Sequence, residues 1–306
     1  MKISVVTTMY YSASYLEEFY ARVRNAVLSI TGDYEIIFVN DGSPDNSLQV
    51  AVSIFENDPR VKVIDLSRNF GHHKAIMTGL SHVTGDLVYL IDCDLEEEPE
   101  LIKEFYEEML RSEADVVYGA QQNRKGGYFE KVTGALFYKI INMLSDHRVP
   151  SNLVTVRLMS RRYVDSLVEF RDQELFMAGL WVITGYKQVE KTIVKGDKGS
   201  STYNLTRKIT NLINAVTSFT NRPLIYIFYL GCLMIFGSSV SALYLIIRKV
   251  FFHVFLSGWS SLIVSIWMMG GITIFSIGVI GIYLSRVFME TKDRPYTVIR
   301  RIYKRD

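Results

Sequence analysis

Asp92 and Asp94 are the residues whose type and spacing speak most directly of chemistry. They close the run Leu90-Ile91-Asp92-Cys93-Asp94-Leu95-Glu96, in which an apolar, strand-like segment ends in Asp-x-Asp. Two carboxylates at the mouth of a buried strand make a hard oxygen site suited to Mg2+ or Mn2+. An ion held there bridges diphosphate oxygens and stabilises the charge that develops as a nucleoside diphosphate departs. Asp-x-Asp is also a common solvated pair, and the apolar strand before it is what favours the metal reading. Glu96, two residues past Asp94, is within reach of the same ion. The run Glu96-Glu97-Glu98-Pro99 reads as a helix start, with proline at its first position and acids at the positive end of the dipole.

Two further polar loops follow apolar runs. In Val39-Asn40-Asp41-Gly42-Ser43-Pro44-Asp45-Asn46-Ser47, Asp41 is placed to accept hydrogen bonds from a base or ribose, although such a stretch also serves as an ordinary turn and helix cap. In Leu66-Ser67-Arg68-Asn69-Phe70-Gly71-His72-His73-Lys74, Arg68 and Lys74 are placed to meet phosphates at a helix N-terminus. Adjacent histidines point in different directions and have no partner four residues on, so His72 and His73 are not read as metal ligands.

Strand-like runs begin at Ile3, Glu35, Val61, Leu87 and Asp115, and helical patterns fall near residues 14–30, 45–55, 72–82 and 99–111. Near-continuous apolar strands alternating with helices predict an α/β fold, a mostly parallel sheet with helices on both faces. Ligands of such sheets lie at the carboxyl ends of the strands, so the loops after Thr8, Val39, Leu66 and Ile91 are where a site is expected. Residues 120–200 are mixed, with a helix expected over about 128–144.

The last third changes character. No charged residue occurs between Leu224 and Ile247, nor between Trp259 and Ser285. Each run exceeds the roughly 20 apolar residues needed to cross a bilayer. Between Leu205 and Phe219 apolar residues recur at helical spacing, which predicts an amphipathic helix at the membrane interface or against the soluble domain. The expected organisation is a cytoplasmic catalytic domain over 1–200, an interfacial helix over 201–223, two transmembrane helices within 224–285 and a basic cytoplasmic tail over 286–306. That tail holds seven basic residues against three acids, which favours both ends of the hairpin on the cytoplasmic side. Met1-Lys2-Ile3-Ser4 runs straight into a strand and is not read as a signal peptide. Gly270, Gly271, Gly278 and Gly281 permit close helix contacts, within the hairpin or in a homo-oligomer. The formal net charge of +2 carries no nucleic-acid signature. Cys93 and Cys232, one in the soluble part and one in a span, predict no disulfide.

The ordered set of Asn40-Asp41-Gly42-Ser43, Ser67-Arg68-Asn69-Phe70-Gly71-His72 and Asp92-Cys93-Asp94-Leu95 through Pro99-Glu100 resembles the family 2 inverting glycosyltransferases of the GT-A fold. The branch is that of dolichyl-phosphate mannosyltransferase and the bacterial polyprenyl-phosphate glucosyltransferases of the GtrB type. Val117-Tyr118-Gly119, Arg157-Leu158-Met159, Thr217-Ser218-Phe219 and the two spans extend the resemblance over nearly the whole chain. It implies that Asp92 and Asp94 hold the metal of a nucleotide-diphosphate sugar, a UDP-sugar foremost, with Glu96 where the family often has Gln. It places Tyr10 and Asp41 near the nucleotide and makes Arg124 and Arg157 candidates for a donor or acceptor phosphate. Thr8, Tyr10, Asp41, Asn69, Lys74, Arg124 and Arg157 are thus the expected substrate-binding residues, and Asp94 and Arg157 the expected catalytic ones. The implied acceptor is polyprenyl (undecaprenyl) phosphate in the bacterial inner membrane. The competing readings are a transferase that extends a lipid-linked or surface glycan, and a non-catalytic membrane scaffold, against which the intact Asp pair argues.

Two departures from the family bear on mechanism. Its first loop, Pro-x-Tyr-Asn-Glu, is Thr8-Met9-Tyr10-Tyr11-Ser12 here, and its Gly-Asp-Phe-Arg-Leu segment is Val154-Thr155-Val156-Arg157-Leu158. Thr155 therefore stands where a carboxylate base is often proposed. A sugar hydroxyl normally needs such a base. A phosphate monoester, with its second pKa near ~6, is already ionised at neutral pH. The missing carboxylate thus points toward a phosphate acceptor.

Overall fold

The computed structural model describes residues 1–121, 139, 142–143, 150, 152–194, 216, 222–252 and 258–305. Arg124, most of the helix expected near 128–144 and nearly all of the expected interfacial helix lie outside the described residues.

Four apolar runs form the parallel centre of the sheet: β1 (Ile3–Met9), β2 (Tyr34–Asn40), β3 (Val61–Leu66) and β4 (Leu87–Leu90). Their residues alternate between two buried faces, as a strand's two-residue period requires. Val5, Ile36 and Phe38 pack on one face with α1 (Leu16–Leu28), α2 (Ser47–Asn57) and α4 (Leu101–Ser112). Val6, Ile37 and Val39 pack on the other with α3 (His72–Leu80), α5 (Arg161–Val168) and α6 (Met177–Ile183). Each helix contributes one apolar stripe: in α1 the buried residues are Leu16, Phe19, Val23, Ala26 and Val27. Full burial of such side chains stabilises by about 1.5–3 kcal/mol each, which anchors both layers to the sheet.

The strands β5 (Val116–Gln121), β6 (Leu153–Ser160), β7 (Gln188–Ile193) and β8 (Ile299–Tyr303) complete an eight-stranded sheet in the order β7-β5-β6-β4-β1-β2-β3-β8. Four strand pairs are parallel, and β6 and β8 enter antiparallel. The expected mostly parallel α/β sheet is present, with antiparallel strands toward its margins. At its amino end the buried Glu35 carboxylate accepts from Ser4 Oγ at 2.6 Å, from Thr84 N at 2.6 Å and from Lys62 Nζ. Burial alone would raise its pKa, but Lys62, Ser4 and Thr84 together outweigh burial and hold it at about 2.

Two long helices follow, α7 (Arg222–Phe252) and α8 (Trp259–Glu290), where the two apolar runs were expected. Among the described residues, Ser265–Glu290 is long and apolar enough to cross a membrane, and none of its most apolar window is buried. Trp267 is 78% exposed and Phe275 65%. The expected basic tail differs from a simple extension. The α8 helix continues to Glu290, and the tail then supplies β8, which pairs antiparallel with β3 through Val63–Tyr303, Ile64–Ile302 and Asp65–Arg301. The sequence hides this strand because Ile299-Arg300-Arg301-Ile302-Tyr303 is short and carries adjacent arginines at the sheet edge that it covers.

Candidate active site

Because β1 to β4 run parallel, their carboxyl ends share one sheet edge, with Met9 beside Asn40, Asn40 beside Asp65 and Val6 beside Leu90. The loops bearing Tyr10, Asp41, Asn69 and Asp92 therefore emerge side by side. Lys74, in the first turn of α3, lies at the same edge and is half-buried.

The Asp-x-Asp turn is set by its middle residue. Cys93 is 3% exposed, and its thiol donates to Thr8 O at 3.1 Å. Burial pushes that thiol up to about 11, so it packs and does not react. With Cys93 turned inward, Asp92 and Asp94 both remain partly open to solvent. Leu95 adopts φ +60°, which turns the chain sharply and lets Glu96 N donate to Asp94 Oδ1 at 3.1 Å. Among the described residues no group of three or more His, Cys, Asp or Glu side chains gathers as a metal cage, and Glu96 follows Asp94 with its own side chain partly buried. Two half-exposed carboxylates are nevertheless a hard donor pair of the kind Mg2+ and Mn2+ accept when substrate oxygens complete the shell.

His72 connects this turn to β1. Its Nδ1 lies 3.0 Å from Thr8 Oγ1 and its Nε2 lies 3.5 Å from Asp92 Oδ1. Sequence spacing gave no hint of this contact, because His72 and Asp92 follow different strands and meet only across the sheet edge. The neighbouring His73 donates from Nδ1 to Leu175 O at 3.0 Å.

Asp41 is 3% exposed, and its two oxygens accept from Phe70 N at 2.7 Å and Gly71 N at 3.0 Å. Burial raises its pKa even though those two amides oppose the shift. Here Asp41 braces the 67–71 loop, and each oxygen keeps a second lone pair. Gly42 is required beside it: its φ is +63°, and an added Cβ would overlap Arg68 C and Asn69 N. Asn69 is exposed at the tip, and Arg68 stacks 4.0 Å over the Phe70 ring.

The Tyr10-Tyr11-Ser12 loop is held by residues that sequence reasoning left as capping. Ser43 Oγ accepts from Tyr11 N at 2.7 Å, Ser47 Oγ from Ser12 N at 2.9 Å and Asp45 Oδ2 from Ala13 N at 3.1 Å. Tyr11 sits at φ +54°, and the Tyr10 and Tyr11 rings meet edge to face at 4.8 Å, both exposed beside the site.

Arg157 lies in β6 opposite Leu90, one strand from Asp92. It is fully buried over the Trp181 ring, 3.0 Å from its centroid. Nε donates to Thr155 O and Nη2 to Val154 O, both at 3.1 Å, while Nη1 is buried with no hydrogen-bond partner among the described residues. Burial lowers its pKa to about 9, so the guanidinium stays charged at neutral pH.

The family model described as glycosyl transferase family 2 matches residues 4–168. A protein of Mycobacterium tuberculosis (strain CDC 1551 / Oshkosh) described as "Putative glycosyltransferases" is 55% identical over 100% of this chain and 90% of its own length. The prophage bactoprenol glucosyl transferase homolog of Escherichia coli K12 is 32% identical over 99% of this chain and 100% of its own. The bactoprenol glucosyl transferase of Shigella phage SfX is 33% identical over 98% of this chain and 99% of its own. Among solved structures, glucosyl-3-phosphoglycerate synthase from Mycobacterium tuberculosis, in complex with Mn2+, UDP-glucose and phosphoglyceric acid, shares the fold with a TM-score of 0.51 at 18% identity, over 71% of this chain and 79% of that one. With the family's motifs standing on one edge of a GT-A sheet, the chain belongs to glycosyl transferase family 2.

Proposed function

We propose that this protein transfers one sugar from a nucleotide-diphosphate sugar to polyprenyl phosphate at the cytoplasmic face of the membrane, with inversion at the sugar carbon. The observation that carries the reading is the Asp92–Asp94 pair on a sheet edge whose own chain leaves into uncovered apolar helices and returns as β8. The relatives named bactoprenol glucosyl transferase, which match along nearly their full length, support the acceptor.

Asp92 and Asp94 would hold a Mg2+ or Mn2+ ion, which supplies neutralisation of the departing nucleoside diphosphate. Tyr10, Asp41, Asn69 and Lys74 line the same edge and would receive the nucleotide and its phosphates. Attack by an acceptor phosphate oxygen in a single displacement inverts the anomeric carbon. No carboxylate stands at Thr155 to take a proton, and a phosphate monoester, already ionised, has none to give. Positioning and fixed charges would then supply most of the rate. Arg157, buried one strand from Asp92 with Nη1 unpartnered among the described residues, is the charge proposed to face a phosphate.

Topology supports the membrane part of the reading. The chain enters α7 from the catalytic domain and rejoins that domain's sheet at β8, so the segment between must cross a bilayer an even number of times. With Ser265–Glu290 as one crossing, α7 would be the other, which would keep both termini on the side of the catalytic domain.

The test uses the full-length protein in bilayer nanodiscs with a labelled sugar nucleotide, Mg2+ or Mn2+, and polyprenyl phosphate. Labelled polyprenyl-phospho-sugar is expected, and Asp92→Asn should reduce it by roughly 10²-fold or more. Product that forms only when a glycan primer is supplied would overturn the assignment.

A further inference from the structure

The chain after α8 runs back along the catalytic domain before it becomes β8. Gln173 N donates to Glu290 Oε1 at 2.8 Å, which ties the end of the long helix to the loop before α6. Thr297 Oγ1 lies 2.8 Å from Thr78 Oγ1 on α3. Ser67 N then donates to Val298 O at 2.8 Å, and Arg300 Nη2 donates to Ser67 O at 2.6 Å. The other arm of the same guanidinium, Nη1, reaches Asp65 Oδ2 at 3.4 Å.

Asp65 is the centre of this arrangement. Its side chain is 3% exposed at the end of β3, and its Oδ1 accepts from Asn40 Nδ2 at 2.8 Å. Asn40 Oδ1 accepts in turn from Ser43 N at 3.1 Å. A buried carboxylate is costly unless a cation and hydrogen bonds compensate it, and Arg300 is the cation. One tail residue therefore reaches both loops of the nucleotide edge from behind. Through Asp65 and Asn40 it holds the 40–47 turn, and through Ser67 it holds the 67–71 loop that Asp41 grips from the front.

We infer that Arg300, supplied by the strand that follows the membrane helices, is a positioning residue for the donor-nucleotide site. The inference rests on the transferase reading above. The tail is then part of the nucleotide pocket's frame as well as a return from the membrane. Mere edge covering by β8 would need only its backbone ladder, which survives replacement of Arg300.

The test compares full-length wild type with Arg300→Met, Arg300→Lys, Asp65→Asn and the Arg300→Met/Asp65→Asn double variant in nanodiscs. Hydrogen exchange of residues 40–47 and 67–71 is read without ligand, UDP affinity is read with Mn2+ present, and KM and kcat are read for the sugar nucleotide. Arg300→Met should speed exchange in both loops and raise the UDP Kd and the KM by roughly tenfold, with a smaller fall in kcat. Arg300→Lys should recover part of the loss. The double variant should be no worse than the more affected single, because both remove one chain of contacts. A folded Arg300→Met protein with wild-type exchange and KM would overturn the inference, as would a loss of melting temperature with KM unchanged. Should Arg300→Met fail to fold, Asp65→Asn reads the same contact from its other end. Faster loop exchange in a protein whose wild type transfers nothing would leave Arg300's role standing and sink the transferase reading instead.

Discussion

His72 Nε2 stands 3.5 Å from Asp92 Oδ1, while the opposite ring nitrogen lies 3.0 Å from the Thr8 hydroxyl. The imidazole thus bridges the first strand's loop and the Asp-x-Asp turn. Groups bonded to a ligating carboxylate orient it, and their loss typically weakens metal affinity about 10–100-fold. His72→Ala should raise the Mn2+ dissociation constant by roughly tenfold in a calorimetric or electron-paramagnetic titration. His72→Gln should fall between that and wild type. Equal Mn2+ affinity in all three proteins would remove His72 from the site's support.

Arg157 offers a separation of stability from activity. It is a fully buried guanidinium bonded to backbone carbonyls and stacked on Trp181. Burying a charge is costly, so exchanging the guanidinium for an apolar side chain of similar length relieves a desolvation cost that offsets the two lost hydrogen bonds. Arg157→Met should therefore melt within a few degrees of wild type while kcat falls roughly 10²-fold. A variant that keeps its turnover would leave Arg157 with a packing role alone.

The Glu35 cluster predicts how the domain responds to acid. Its folded pKa is depressed from 4.5 to about 2 by Lys62, Ser4 and Thr84 acting against burial. A depressed carboxyl stabilises the fold fully above its unfolded pKa, and that stability is lost as pH falls through the folded one. The contribution, of order 3 kcal/mol, should be present at neutral pH and fade from about pH 4.5 to about pH 2. In thermal melts, Glu35→Gln should lie well below wild type at pH 7, and the gap should close across that window. A gap independent of pH would assign the loss to packing.

Gly42 carries the turn that lets the 67–71 loop approach. At φ +63°, and with Arg68 C and Asn69 N where a Cβ would stand, Gly42→Ala should cost roughly 1–3 kcal/mol. Because the displaced backbone belongs to the edge proposed to receive the nucleotide, the KM for the sugar nucleotide should rise as well. Denaturant unfolding and steady-state kinetics on the same preparation test both halves.

Much of this fold was legible in one dimension. The runs at Ile3, Tyr34, Val61 and Leu87 are apolar on both faces because the parallel strands are covered on both sides, and their alternation with helical stripes names the class. The uncharged stretch from Trp259 to Ser285 is equally plain, since hydrophobicity over a span is a property of composition. β6, β7 and β8 were not legible. Ile299-Arg300-Arg301-Ile302-Tyr303 is too short and too basic to read as a strand without the β3 edge it completes.

The sequence by itself determined the α/β class, the apolar helices and the Asp92–Asp94 pair, because each follows from local periodicity or from neighbours in the chain. Only the tertiary structure decided that His72 reaches Asp92, that Asp45 and Ser43 hold the Tyr10 loop, and that Arg300 returns from beyond the apolar helices to Asp65. Those contacts join residues 20, 32 and 235 positions apart. They exist because parallel strands bring their carboxyl ends to one edge, where distance along the chain no longer governs which side chains meet.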